Sequence, residues 1–283
     1  MTQDLEKLKE WIGQKETDLD YVTAPAVHRL AATLDLDYPM PKMGDALPIG
    51  WYHIFFPRIV RNSQVGPDGH PARGDFLPPV PLPRRMFAGR RVRFESDLRV
   101  GDEMRRESTI KAVTIKQGRT GQMVFVTVQT DISSPRGLAI TEEQDIVYRE
   151  APEPGAPPPP PQPAPAKATW RNTVTPDEVM LFRYSAVTFN GHRIHYDHPY
   201  VTGTEGYPGL VMNGGLTTLL TVELARTHSS RPLAYVASRN VRPMFANRAI
   251  TFGGEPSADG RTAKLWAADD TGALALTADA EFK

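Results

Sequence analysis

The chain has no cysteine. That excludes a disulfide framework, a thiol nucleophile and a cysteine-ligated metal. Net charge is missing too: Lys plus Arg and Asp plus Glu both number 33, so nothing in the balance recruits nucleic acid or an anionic membrane surface. No uninterrupted apolar stretch could span a bilayer, and Met1 to Lys7 alternate in charge where a signal peptide needs an apolar run. The expectation is a soluble, cytoplasmic protein with no membrane and no nucleic-acid partner. What 283 residues do allow is one large or two small domains, each with its own core.

Proline is abundant, and it is concentrated. Residues 152–165 hold nine of the 27 prolines. Such a run lacks amide donors and favours extended polyproline II, so it can neither enter a sheet nor continue a helix. It reads as a spacer between two similar halves more readily than as an SH3-type ligand. In the first half Pro25 to Leu34 predicts a helix, followed by strands at Trp51–Phe56, Met86–Glu95, Glu103–Lys116, Met123–Ile132 and Leu138–Tyr148. In the second, Thr175-Pro176-Asp177-Glu178 predicts a capping-box helix start through Val179 and Phe182. A longer helix opens at Gly214 and runs to about Thr227; Leu216, Leu219, Leu220 and Leu224 make it apolar on most faces and so buried. The last strand alternates, with Leu274, Leu276, Ala278, Ala280 and Phe282 on one face. A helix and then a run of strands, twice, predicts an α+β fold of antiparallel sheet wrapped around helices.

Chemistry-bearing residues crowd into Phe189-Asn190-Gly191-His192-Arg193-Ile194-His195-Tyr196-Asp197 and Pro208-Gly209-Leu210-Val211-Met212-Asn213-Gly214-Gly215. His195 is the candidate base, since an imidazole titrates close enough to neutrality both to take and to return a proton. A lone loop histidine is more often structural, but neighbouring imidazoles and a glycine-led helix nearby weigh against that. Asn190 cannot titrate; it either holds a water through its carboxamide or simply forms the Asn-Gly turn. Gly214 and Gly215 would present free backbone amides and the positive end of the helix dipole to a developing oxyanion. Asp197 is placed to orient His195 if the turn geometry permits. His192, His195 and His198 offer a metal reading, which their spacing and the intervening Arg193 disfavour, so no metal is expected.

These segments resemble the MaoC-like hot-dog hydratases and dehydratases. Most of that family shows Asp-x-Asn-Pro-x-His; here the stretch is Asn190-Gly191-His192-Arg193-Ile194-His195, which keeps the histidine and replaces the aspartate. Gly50-Trp51-Tyr52-His53, Asp68-Gly69-His70-Pro71, Phe76 to Met86 and Gln144 to Glu150 are similar to the branch that hydrates mesaconyl-C4-CoA and itaconyl-CoA. The resemblance implies a double hot-dog fold, with two antiparallel sheets each around a central helix. It divides the chain into an N-terminal hot-dog domain at 1–150, a proline-rich linker at 151–166 and a catalytic hot-dog domain at 167–283. The implied activity is hydration of an enoyl-CoA. A fatty-acid-type dehydratase, a hot-dog thioesterase and a non-catalytic acyl-CoA-binding protein are the alternatives.

The implied partner is an acyl-CoA thioester, with no cofactor beyond the CoA of the substrate, in a homodimer or higher homo-oligomer. Asn190, His195, Gly214 and Gly215 are the expected catalytic residues, with His192, Arg193 and Asn213 beside them as binding residues. Trp51, His53 and the Gly/Pro-rich stretch 57–85 are expected to line the acyl pocket. Arg84 and Arg85 would meet a distal carboxylate there, and Arg239 and Arg242 the CoA phosphates, because the guanidinium fork binds such groups bidentately.

Overall fold

The computed structural model describes residues 5–71, 76–118, 121–150 and 160–283. The first half contributes β1 (Lys15–Tyr21), β2 (Arg84–Phe94), β3 (Glu103–Gly118), β4 (Gly121–Ser134) and β5 (Gly137–Arg149). The second contributes β6 (Trp170–Val174), β7 (Leu233–Asn240), β8 (Ile250–Pro256), β9 (Thr262–Ala268) and β10 (Leu274–Phe282). All ten lie in one antiparallel sheet, ordered β1-β3-β4-β5-β2-β7-β10-β9-β8-β6. The two expected sheets are thus two five-stranded halves joined edge to edge, with Arg90 to Arg93 of β2 pairing with Ser238 to Tyr235 of β7. That junction satisfies a row of amides and carbonyls that each half alone would leave open.

Among the described residues there are four α-helices, α1 (Ala24–Thr33), α2 (Glu178–Val187), α3 (His198–Gly203) and α4 (Gly214–His228), and the one that packs on the strands is α4, so the central helix expected for the first half is not matched by α1. From Leu216 to Ala225 every residue of α4 is buried, and strands β6 to β10 all touch it. Three threonines in this stretch cost little, because Thr217, Thr218 and Thr221 return their hydroxyls to the carbonyls four residues back. The helix α1 packs chiefly on α2 and on a short 3-10 turn at Trp51–Ile54. The main core runs through both halves, from Val27 and Leu30 of α1 past Met104 and Ile140 to Leu219 and Phe252. A smaller cluster in the first half sets Phe76, Val80 and Leu82 against Ile110, Val126 and Ile146.

Several elements differ from the sequence expectation. The expected strand Trp51–Phe56 is instead a 3-10 turn, Trp51–Ile54, entered through Gly50 at φ 89° and followed by a bend at Phe55 and Phe56. Trp51, Tyr52, Ile54, Phe55 and Phe56 are all buried, and a continuous apolar run does not distinguish a buried strand from a buried helical turn. The cap of α2 is Asp177, whose carboxylate accepts from Met180 N at 2.7 Å; Thr175 lies before it. The strand β1 was not foreseen, because its mostly exposed, charged sequence carries no alternation. In β10 a bulge between Leu274 and Leu276 turns Ala275 into the core, and the expected alternation holds beyond it. The first part of the proline run, 151–159, lies outside the described residues. Its end is pinned to the β9–β10 turn, Ala164 N donating to Gly272 O and Leu274 N to Gln162 O.

Candidate active site

The chain leaves α2 through Phe189, held at φ 53°. Asn190 N then donates back to Ser185 O at 2.7 Å, and Asn190 Oδ1 accepts from His192 N at 3.0 Å. Asn190 is therefore a turn former that spends part of its amide oxygen on the backbone. Its NH2 has no acceptor among the described residues, and the residue lines a cavity of about 510 Å³ together with Gly191, His70, Arg58 and Arg85. The carboxamide can shape the turn and still present donors to a water.

His195 is only 6% exposed, and its Nδ1 lies 2.7 Å from Val211 O. In the neutral ring that carbonyl makes Nδ1 the N–H and leaves the lone pair on Nε2. Burial pushes its pKa down to about 4, partly offset by the Val211 carbonyl. His192, whose ring centroid is 5.3 Å away, is pushed down to about 3, by burial first and by His70 and His195 next. At neutral pH both rings are uncharged, which is the form a base requires.

Asp197 does not orient His195. Its carboxylate accepts from Arg193 Nε at 2.9 Å and caps α3 through Tyr200 N at 3.1 Å. Arg193 is occupied as well: it donates to Pro67 O at 2.9 Å and lies over the Tyr200 ring. Both residues fasten the loop rather than face a ligand, a correction to the binding role expected of Arg193.

The first turn of α4 begins at Gly214, and the Asn213 side chain does not cap it. A β-carbon at Gly215 would sit 2.7 Å from the Tyr184 hydroxyl, so only glycine fits beneath that ring. Gly214 is exposed, and the leading amides of a helix have no intrahelical acceptor, although neither glycine lines the cavity beside Asn190. Asn213 is buried, its Nδ2 3.4 Å from Ser185 Oγ and its Oδ1 without a partner. Such an orphaned acceptor costs roughly 1–3 kcal/mol, a strain tolerated where a ligand can relieve it.

The residues expected around the acyl pocket divide. Trp51 is a core residue: fully buried, it donates Nε1 to Glu223 Oε1 of α4 at 2.8 Å and does not line the cavity beside Asn190. His53 does line a second cavity, about 370 Å³, in the first half, beside Arg90 and Glu142. Arg85 lines both cavities and has no hydrogen-bond or ion-pair partner among the described residues. Arg84 is exposed, opposite Arg149 in the β2–β5 ladder, and lines neither. Arg239 is exposed on β7 and Arg242 sits 3.6 Å from Asp269, both away from the two cavities.

Two groups escaped the residue-by-residue reading. In the first, the Tyr52 hydroxyl donates to Glu142, whose other oxygen faces Arg90 Nε at 3.0 Å, an ionic contact without hydrogen-bond alignment. Nothing in sequence links positions so far apart. In the second, residues 66–70 dock on the loop 191–193. Arg193 N donates to Asp68 O at 2.9 Å, and a β-carbon on Gly69 would lie 1.9 Å from Gly191 O. His70 is thereby set against His192, ring centroids 4.0 Å apart. The Asp68-Gly69-His70-Pro71 motif marked the spot but not its use.

Residues 50–246 match the family model for hydroxyacyl-thioester dehydratase type 2. The chain belongs to this family. Among curated relatives it is 45% identical over 274 residues, 96% of each chain, to the mesaconyl-C(4)-CoA hydratase of Chloroflexus aurantiacus. It is 26% identical to the mitochondrial hydroxyacyl-thioester dehydratase type 2 of Schizosaccharomyces pombe, over 82% of this chain and 87% of that one. Among solved structures, a MaoC-like dehydratase from Phytophthora capsici superposes with a TM-score of 0.72 at 12% identity, covering 99% of this chain and 98% of that one. The family's hot-dog architecture is therefore the fold of this chain, and its MaoC-like resemblance holds across both halves.

Proposed function

We propose that this member of the hydroxyacyl-thioester dehydratase type 2 family is a hydro-lyase that adds water across the double bond of a branched C5 dicarboxylic enoyl-CoA, mesaconyl-C4-CoA or itaconyl-CoA, giving citramalyl-CoA. The observation that carries the reading is the 45% identity, end to end, to a mesaconyl-C(4)-CoA hydratase. The site supplies matching chemistry. A neutral, buried His195 is the group able to take a proton from water, and the Asn190 NH2, on the cavity wall, can hold one. Charge developing on the thioester oxygen meets the leading amides of α4 at Gly214 and Gly215, where fixed dipoles already point the right way. Hydration beside a thioester is acid–base chemistry, so the reading calls for no cofactor beyond the CoA of the substrate. It carries with it a homo-oligomeric state and a cytoplasmic location.

Arg85, without a side-chain partner among the described residues and lining both cavities, is the group suited to a distal carboxylate, since burying that carboxylate unpaired would cost several kcal/mol. The test is a panel of enoyl-CoA thioesters followed by enoyl absorbance and by free thiol. The expected result is loss of the enoyl band without thiol release, with the dicarboxylic substrate at least tenfold ahead of crotonyl-CoA in kcat/KM, about 1.4 kcal/mol. R85M should shrink that preference while sparing crotonyl-CoA. Thiol release with the double bond intact would make the protein a thioesterase, and equal efficiency on both substrates would remove the dicarboxylate assignment.

A further inference from the structure

Hydration needs two proton transfers at different atoms: one leaves the attacking water and one arrives at the α-carbon. Asn190, which faces the cavity, can perform neither. His195 can perform the first, but it is buried and does not line the cavity that Asn190 lines. The imidazole that does line it comes from the other half of the chain, and it is His70.

The environment of His70 is built. Asp68 Oδ1 accepts from His70 N at 3.0 Å and Asp68 Oδ2 lies 3.3 Å from His70 Nδ1, which leaves Nε2 uncommitted. The polar atoms of Asp68, His70 and His192 all lie within 4.8 Å of one another. The loop has little freedom to withdraw: Gly66 N is bonded to His70 O at 2.7 Å, Val65 bridges Pro71, and Arg193 ties Pro67 O and Asp68 O from the opposite side. At Gly69 and Gly191 the two backbones meet too closely for any side chain on either. The His70 bonds help hold the Asp68 carboxyl below its ordinary range, against burial, so Asp68 is an anion at neutral pH. Among the described residues, the other charged or titratable groups around the ring are His192 and His195 from the facing loop, and Arg58, Arg85 and Tyr148 across the cavity.

We propose that His70, held and polarised by Asp68, is the second proton-transfer group of this site, giving its Nε2 proton to the α-carbon of the enoyl thioester. The inference rests on the hydratase reading and deepens it. The step balances. As the water oxygen bonds to the β-carbon, its proton passes to His195 Nε2 and the π pair moves into the thioester as an enolate. The enolate then takes the proton from His70 Nε2. His195 loses its proton to solvent, and exposed His70 regains one, so the net consumption is one water.

The test is the pH dependence of kcat/KM for hydration by the full chain, native, H70Q and D68N, on whichever enoyl-CoA the native protein turns over best. The native profile should have two limbs, an acid one where the base is protonated and a basic one that depends on His70. H70Q should fall about a hundredfold and lose the basic limb, at an unchanged thermal midpoint. D68N keeps the imidazole but removes the carboxylate that holds it, so kcat/KM should fall about tenfold or more. A native profile without a basic limb overturns the proposal, as does H70Q within a few-fold of native or slow with both limbs intact. Should H70Q fail to fold, D68N decides, and a native kcat/KM in that variant sinks the idea. A native protein inactive on every enoyl thioester overturns both this and the hydratase reading, whereas an active native enzyme with an indifferent His70 overturns this alone.

Discussion

An imidazole taken out of water gives up its proton first, and at His195 that loss fits its role as a base. With its pKa pushed down to about 4, the ring accepts a proton only when it is neutral, that is, above about pH 4. Activity should therefore fall away as pH drops through about 4 and be full on this side at neutrality. H195A should lower kcat about a hundredfold or more, and the residual rate should lack the acid limb. A limb near 4 resembles a carboxylate, so its survival in H195A would show that a carboxylate carries it instead. The position of His195 was legible in the sequence because the motif holds it between a turn and a glycine-led helix. Its protonation was not, because burial and the Val211 carbonyl sixteen residues away set it. Asp197 misled for the same reason: two residues apart in sequence, it turns to Arg193 and to the start of α3.

The helix α4 does its work at its first turn, and the fit there is close. The Tyr184 hydroxyl stands over Gly215 with no room for a methyl group, and Tyr184 is itself buried, with its pKa raised by burial. G215A should cost roughly 1–3 kcal/mol through overpacking, outweighing the half to one kcal/mol that alanine gains over glycine within a helix. It should also lower kcat, because a shifted first turn misaims the amides. Y184F in the same chain removes the clashing oxygen and should restore most of the stability. Denaturant midpoints of the single and double variants measure this; if Y184F gives no relief, the clash is not the cause. At this scale α4 was readable from its unbroken apolar composition, as were the long strands β2 to β5. The turn at Trp51 was not, since its apolar run serves α4 through the indole bond to Glu223 instead of a strand face. Nor was β1, a charged edge strand held to β3 by backbone pairing.

At the level of the whole molecule, the proline run suggests two separable units, while the sheet, the core and the site all cross it. The strands β2 and β7 pair directly, and the main cluster draws on residues from Val22 to Ile140 and from Leu181 to Phe282. The cavity beside Asn190 takes His70 and Arg85 from before the run and Asn190 and Gly191 from after it. A specific protease site inserted at residues 155–158 should therefore give two fragments that co-elute on a sizing column under native conditions. Their hydration rate should stay within about twofold of the uncut chain, because cutting one tether removes none of the β2–β7 hydrogen bonds and exposes none of the shared apolar surface. Either fragment expressed alone should be inactive and aggregation-prone, since it would carry an open strand edge beside an uncovered core. If the nicked fragments separate, or if the second half alone turns over substrate at the native rate, the first half is an appendage rather than half of the active site.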